Sequence, residues 1–220
     1  MHCFLVRQWM TPLMLVLCGV ADFASAQTSS QTWYVQPPMS VEVTTAAASV
    51  LQRRFDELRS GFFTSVSTQV KGDAVTVTFK GWVPSPAEVD FLVRRPGRLT
   101  ISKMGPGAKP FVSTADVVDA QEMPNNTVAI RLSDAGAARM TQGTHGLVGT
   151  GLSVELDGKP LAQPRLNEPL GGRFALGMAN GPPAKLVSII LRTGPLPAGI
   201  MLSTSSGLPT TPSQAKKPAS

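Results

Sequence analysis

Hydrolytic chemistry needs a base beside a nucleophile, and beyond its N-terminal segment this chain offers one histidine. His145 sits in the glycine-rich run QGTHGLVGTG, residues 142–151. Serines and aspartates are common, so a Ser-His-Asp set is formally available, but nothing in the pattern places His145 beside a partner. It is expected as a loop residue. Metal chemistry has little more to work with: Cys3 and Cys18 both lie in the N-terminal segment, which leaves only oxygen ligands. Asp116 and Asp119 are expected on the solvated face of a short helix. The run GLVGTG (146–151) has the composition of a phosphate loop, yet it precedes a strand, whereas such loops follow a strand and open a helix. The triplet NNT (125–127) fits a glycosylation acceptor, a pattern short enough to arise by chance. The expectation is therefore a non-enzymatic protein with no catalytic, cofactor-binding or metal-binding residues and no cofactor. Binding residues are left unassigned. Phe62, Phe63 and Trp82 are the aromatics that could line a groove for an extended polypeptide. The competing reading, in which Phe62 and Phe63 staple a helix to a sheet, is preferred.

The two ends bound what remains. Arg7, the apolar run LMLVLCGV (13–20) and Ala24-Ser25-Ala26 form the pattern of a cleaved secretory signal over residues 1–26. The alternative is an uncleaved anchor, which Asp22 argues against. An exported chain without cysteine must hold together through its core, and about 165 residues are enough for one domain or two small ones. The net charge of +6 is carried by scattered residues, among them Arg53, Arg54, Arg94, Arg95 and Arg98, with no aromatic interleaving. That disfavours nucleic acid as a partner and reads as a solvated surface. Residues 27–38 are expected as a linker, with Trp33 and Tyr34 as its docking candidates, and 203–220 as a disordered Ser/Thr/Pro-rich tail.

Between those ends the pattern predicts an α+β fold. MSVEVTT (39–45) alternates like a strand, and 46–59 follows as an amphipathic helix with Leu51, Phe55 and Leu58 inward and Arg53 pairing with Glu57. A hairpin over 65–80 turns at Lys71-Gly72-Asp73. Residues 84–94 carry a capping box, Ser85 with Glu88, and Pro86 at the first helical position. A strand in RLTISK (98–103), marked by Leu99 and Ile101, completes a β-α-β-β-α-β order, the split βαβ or ferredoxin-like arrangement. Further on come a short capped helix at 113–120, a strand at 127–133, a helix at 133–142 weakened by Gly136, a hairpin through Asp157-Gly158, and a strand at 171–177. LVSIILRTGPLPAGIML (186–202) could suggest a membrane span, but Arg192 and two prolines lie inside it. Arginine alone costs about 2.5 kcal/mol or more at a bilayer centre. It is expected instead as a helix capped by Asn180, stopped at Gly194, followed by a short strand.

The last third of the chain carries a family pattern. DGKPLAQPRLNEPLGGRFALG (157–177) followed by AKLVSIILRTGPLPAGIML (184–202) closely resembles the first periplasmic domain of SecD, an accessory subunit of the bacterial protein-export machinery. The carrying elements are Asp157-Gly158 with Pro164, Gly171-Gly172, and Leu191, Gly194, Leu196 and Pro197. VLQRRFDELRSG (50–61) is similar to that domain's first helix, and PFVSTADVVDA (110–120) to the entry into its head. The resemblance implies a ferredoxin-like base, residues 39–104 and 178–202, with an inserted α+β head at 109–177. It implies that the C-terminal helix and strand join the base sheet. FKGWVP (79–84) departs from the family's proline-glycine motif, and the family's membrane helices have no counterpart after the signal, so proton-driven pulling is not implied. What is implied is a periplasmic module, without a transmembrane segment in the mature chain, that binds unfolded or translocating polypeptide, or Sec and envelope proteins, and assists export or post-translocation folding. The alternative is an envelope scaffold that keeps the fold without the export role.

Overall fold

A computed structural model describes residues 28–59 and 64–204. The expected signal, Phe62 and Phe63, and the chain from 205 onward lie outside the described residues. The first strand is β1 (Thr28–Gln36), in the stretch expected as a linker. Its Ser/Thr/Gln composition hides a period of two. Trp33 and Val35 point into the core, while Ser30 and Thr32 on the opposite face share hydroxyl hydrogen bonds with Thr78 and Thr76 at 2.9 and 2.8 Å. Helix α1 (Val41–Leu58) then starts where a strand was expected. Val41 and Val43 alternate, but the governing stripe is Thr44, Ala47, Ala48, Leu51, Phe55 and Leu58 at helical spacing, and Val41 is left 62% exposed.

Strands β2 (Ser65–Lys71) and β3 (Ala74–Lys80) form the expected hairpin, and α2 (Pro86–Arg94) begins at the expected capping box. Ser85 Oγ accepts from the Glu88 N–H at 3.3 Å, and the Glu88 carboxylate accepts from the Ser85 N–H at 2.8 Å. The first sheet runs β11-β1-β3-β2, all antiparallel, with β11 spanning Met201–Ser203. This is the ferredoxin-like order with its fourth position filled from the far end of the chain. The strand at Leu99–Lys103, β4, is not in that sheet. It pairs with β5 (Val112–Ser113) and β8 (Leu152–Leu156), and β8 with β9 (Lys159–Ala162), in a second sheet.

The third sheet is β10-β7-β6, from Arg173–Gly177, Thr127–Leu132 and Val117–Met123. The expected helix over 113–120 is a single 3-10 turn at Thr114–Asp116; the β-branched pair Val117-Val118 then enters β6. Helix α3 (Asp134–Thr144) is capped by Ser133, whose Oγ accepts from the Gly136 N–H at 3.1 Å.

Helix α4 (Ala184–Thr193) joins these parts. One apolar stripe was expected, but burial takes in Ala184, Leu186, Val187, Ser188, Ile189, Ile190, Leu191 and Thr193, nearly the whole circumference. It packs on β6 and β7 on one side and on α1 and α2 on the other. Each large apolar side chain so buried contributes about 1.5–3 kcal/mol. Its first N–H is capped from across the fold, not by Asn180: Asn126 Oδ1 accepts from the Ala184 N–H at 2.7 Å. Gly194 ends it at φ 87°, as expected. Among the described residues no helix is long and apolar enough to cross a membrane.

Candidate functional site

The elements meet at Arg54. Its position on α1 lies between Leu51 and Leu58 on the apolar face, and the side chain is completely buried. Nη1 donates to the carbonyls of Leu92 and Arg95 at 2.5 and 2.7 Å, and Nη2 to those of Pro96 and Gly194 at 3.1 and 3.2 Å. These are carbonyls left over at the ends of α2 and α4, which a cation satisfies well. Asp157, in the β8–β9 turn, holds the same segment from the other side, accepting from the N–H groups of Gly97 and Arg98 at 2.7 and 2.8 Å. The Leu196 N–H donates to the Pro96 carbonyl at 2.7 Å. Gly97, at φ 90°, fits because a Cβ there would come within 2.7 Å of Ile190 and 2.9 Å of the Arg54 guanidinium. Burial lowers the Arg54 guanidinium to about 10; the Asp157 charge opposes that shift and Arg53 adds to it. Arg54 is thus charged at neutral pH. Asp157, Gly194 and Leu196, three of the residues that carry the family pattern, converge here: Asp157 and Leu196 on residues 96–98, and Gly194 on Arg54.

The residues first considered for chemistry are dispersed. His145 is exposed at the C-terminal end of α3. Asp116 is buried, not solvated: it accepts from the Ser113 N–H at 2.9 Å and pairs with Arg139. Asp119 sits on β6, 4.0 Å from Arg131. Among the described residues no group of three His, Cys, Asp or Glu side chains could hold a metal ion. Residues 146–151 form a loop ahead of β8. Asn125 and Asn126 make the positive-φ turn between β6 and β7, and Asn126 is occupied in capping α4. Trp82, half-buried, packs edge-on to Phe79 at 6.2 Å. The expected Arg53–Glu57 pair is replaced: Glu57 accepts from Arg192 Nε at 2.6 Å, and Arg53 donates to the Thr193 carbonyl at 3.0 Å.

A concave site lies elsewhere, beside β10. A cavity of about 210 Å³ is lined by Ile101, Leu152 and Val154 of the second sheet, Met140 of α3, and Phe174 and Leu176 of β10. Residues 164–168 and Leu170 form its rim, with Arg165 and Glu168 supplying one charge of each sign. The Leu152 N–H donates to the Pro164 carbonyl at 2.9 Å and so pins that rim to β8. Gly172 brings the start of β10 against α3, where a Cβ would meet Ala137 at 2.7 Å.

Strand β10 is an edge. The Leu132 N–H bonds to the Gly172 carbonyl at 2.8 Å and the Met178 N–H to the Asn126 carbonyl at 3.0 Å, at the two ends of the β10–β7 ladder. Bonding residues alternate in an antiparallel pair, so Phe174 and Leu176 bond to β7 while Arg173 and Ala175 turn their N–H and C=O groups outward. Among the described residues no hydrogen bond reaches those outward groups. The site therefore combines a row of free backbone donors and acceptors with an adjoining apolar hole. Composition did not announce it, because it arises where three separate parts of the chain meet.

Comparison with known proteins agrees with this architecture. Residues 102–198 match the family model of the SecDF P1 head subdomain. No curated protein sequence matches the chain. A solved structure described as a membrane component SecDF that enhances protein export superposes with a TM-score of 0.60 at 16% identity, covering 82% of this chain and 100% of that one. A SecDF crystal structure in a super-membrane-facing form superposes with a TM-score of 0.64 at 16% identity, covering 81% of this chain but 30% of that one. At such identities the likeness is one of fold. The chain has the fold of the SecD first periplasmic domain, and its residues 102–198 match the SecDF P1 head subdomain.

Proposed function

We propose that this protein binds extended polypeptide segments at the outer edge of β10, on the far side of the membrane from the cytoplasm, and assists protein export or folding after translocation. The observation that carries it is the unpaired edge of Arg173–Ala175 running beside the cavity of about 210 Å³. A segment that adds to such an edge gains main-chain hydrogen bonds whatever its sequence, and drops an alternate side chain into the apolar hole. That is the chemistry an unfolded chain needs from a binder that must accept many sequences. No bond is made or broken, so no catalytic residue is assigned. A similar structure belongs to a membrane component that enhances export, which supports the setting. The N-terminal pattern of a secretory signal supports the location, with the base-and-head division part of the same reading.

Photo-crosslinking tests this. A benzophenone amino acid at Asn167, on the cavity rim, is expected to capture an unfolded, reduced model polypeptide added to the chain. The same group at Ser67, on the polar face of the first sheet, is expected not to. Equal capture at both positions, or none at Asn167, overturns the assignment.

A further inference from the structure

We infer that this site selects segments in which an apolar residue has an acidic neighbour. The inference rests on the polypeptide-binding reading above and adds what the bound segment must carry. Side chains of a strand alternate between its two faces. A strand added to β10 would therefore send one residue into the cavity and the next onto the opposite face of the third sheet. That opposite face carries Arg173 and Arg131, directly opposed in the β10–β7 register and both exposed. Like charges placed so are destabilising. Asp119 lies 4.0 Å from Arg131 and compensates it in part; among the described residues Arg173 has no ion pair.

The rest of the face presents no obstacle. Ala175 pairs with Ala129, and Ala129 with Gln121, so the row next to the arginines is small in β10 and β7. The resulting depression, about 490 Å³ and open to solvent, is lined by these residues. A carboxylate arriving beside Arg173 would relieve the opposed pair without displacing any bulky group. A second copy of this chain is a poor occupant, because its net charge of +6 repels such a face. An acidic residue next to an apolar one is the complement of both sides of the edge. The cavity rim adds no sign preference, since Arg165 and Glu168 offset one another.

Fluorescence anisotropy on the full chain tests this with two dye-labelled alternating peptides, one with a central Leu-Glu and one with Leu-Gln. The Leu-Glu peptide is expected to bind about fivefold more tightly at low salt, as an exposed ion pair allows. The advantage should shrink as ionic strength approaches about 1 M, where screening acts within a few ångströms. It should vanish in Arg173→Gln, reverse in Arg173→Glu and persist in Arg165→Gln. Equal binding of the two peptides to the unaltered chain overturns the selectivity and leaves the polypeptide site standing. Loss of the preference in Arg165→Gln but not in Arg173→Gln overturns it as well, by moving the carboxylate to the cavity rim. Binding of neither peptide overturns both readings.

Discussion

The first and third sheets each have one face against helices and one face bare of them, and the bare faces differ. On the first sheet two hydroxyl pairs bridge the central strands, Ser30 with Thr78 and Thr32 with Thr76, beside the exposed Ser65, Ser67 and Gln69 of β2. On the third sheet the corresponding rows hold Ala175 and Ala129, then two opposed arginines, next to an edge with free backbone groups. One surface ties its central strands together with neutral hydroxyl pairs, and the other opposes two like charges across its strands. The lesson is that exposure does not distinguish an interaction surface; unsaturated hydrogen bonding and uncompensated charge do.

The comparison breaks most sharply at the junction that both regions share. Arg54→Met removes the guanidinium donors from four carbonyls at the ends of α2 and α4 and takes away the charge nearest Asp157, so a loss of about 3–5 kcal/mol in urea denaturation is expected. A loss below about 1 kcal/mol would mean that the junction is not common to both. The pH dependence has a definite sign. Burial lowers the folded-state value of Arg54 to about 10, below that of the unfolded chain, so from about pH 10 upward the unfolded chain holds more protons and stability contributed by this group rises with pH. Below about pH 9 its contribution is constant, and denaturation midpoints should show no slope from it.

Next in size is a contrast of two phenylalanines. Phe79 is wholly buried, with Phe55 edge-on at 5.0 Å, and Phe79→Ala should cost about 3–5 kcal/mol. Phe174 is only partly buried at the cavity, so Phe174→Ala should cost about 1 kcal/mol while weakening capture of polypeptide severalfold. If both changes act on stability alone, the third sheet is no more a binding surface than the first. The smallest effect belongs to the hydroxyl ladder: Thr76→Val should lower stability by about 0.5–1 kcal/mol and leave crosslinking from Asn167 unchanged.

Local signals in the sequence were legible where they are self-contained. The Ser85–Glu88 box, the Gly72-Asp73 and Asp157-Gly158 turns and the Gly194 stop all fall as expected, because each is settled within a few residues. Errors came where tertiary packing decides. β1 is built of residues typical of a linker and becomes a central strand only because β11 and β3 flank it. Arg54 was grouped with surface charges, although its place between Leu51 and Leu58 on the apolar stripe was a signal that it turns inward. Asn126 looked like part of a sequon, and its capping of α4 spans 58 residues. The candidate site could not be read at all: β4 had to leave the first sheet for β8 before any wall faced β10.

The central place of α4 has a consequence for how the chain comes into being. Both sheets depend on residues near the C-terminal end: α4 covers β6 and β7 and packs on α1 and α2, and β11 supplies the outer strand beside β1. A polypeptide that emerges N-terminus first cannot cover β6 and β7 until Thr193 has appeared, nor close the first sheet until Ser203 has. Any length that stops short of α4 leaves Leu51, Phe55, Val128 and Ile130 without their final cover. Burial of both cores thus waits on the last two elements described, and it rests on contacts of long sequence separation, which form slowly.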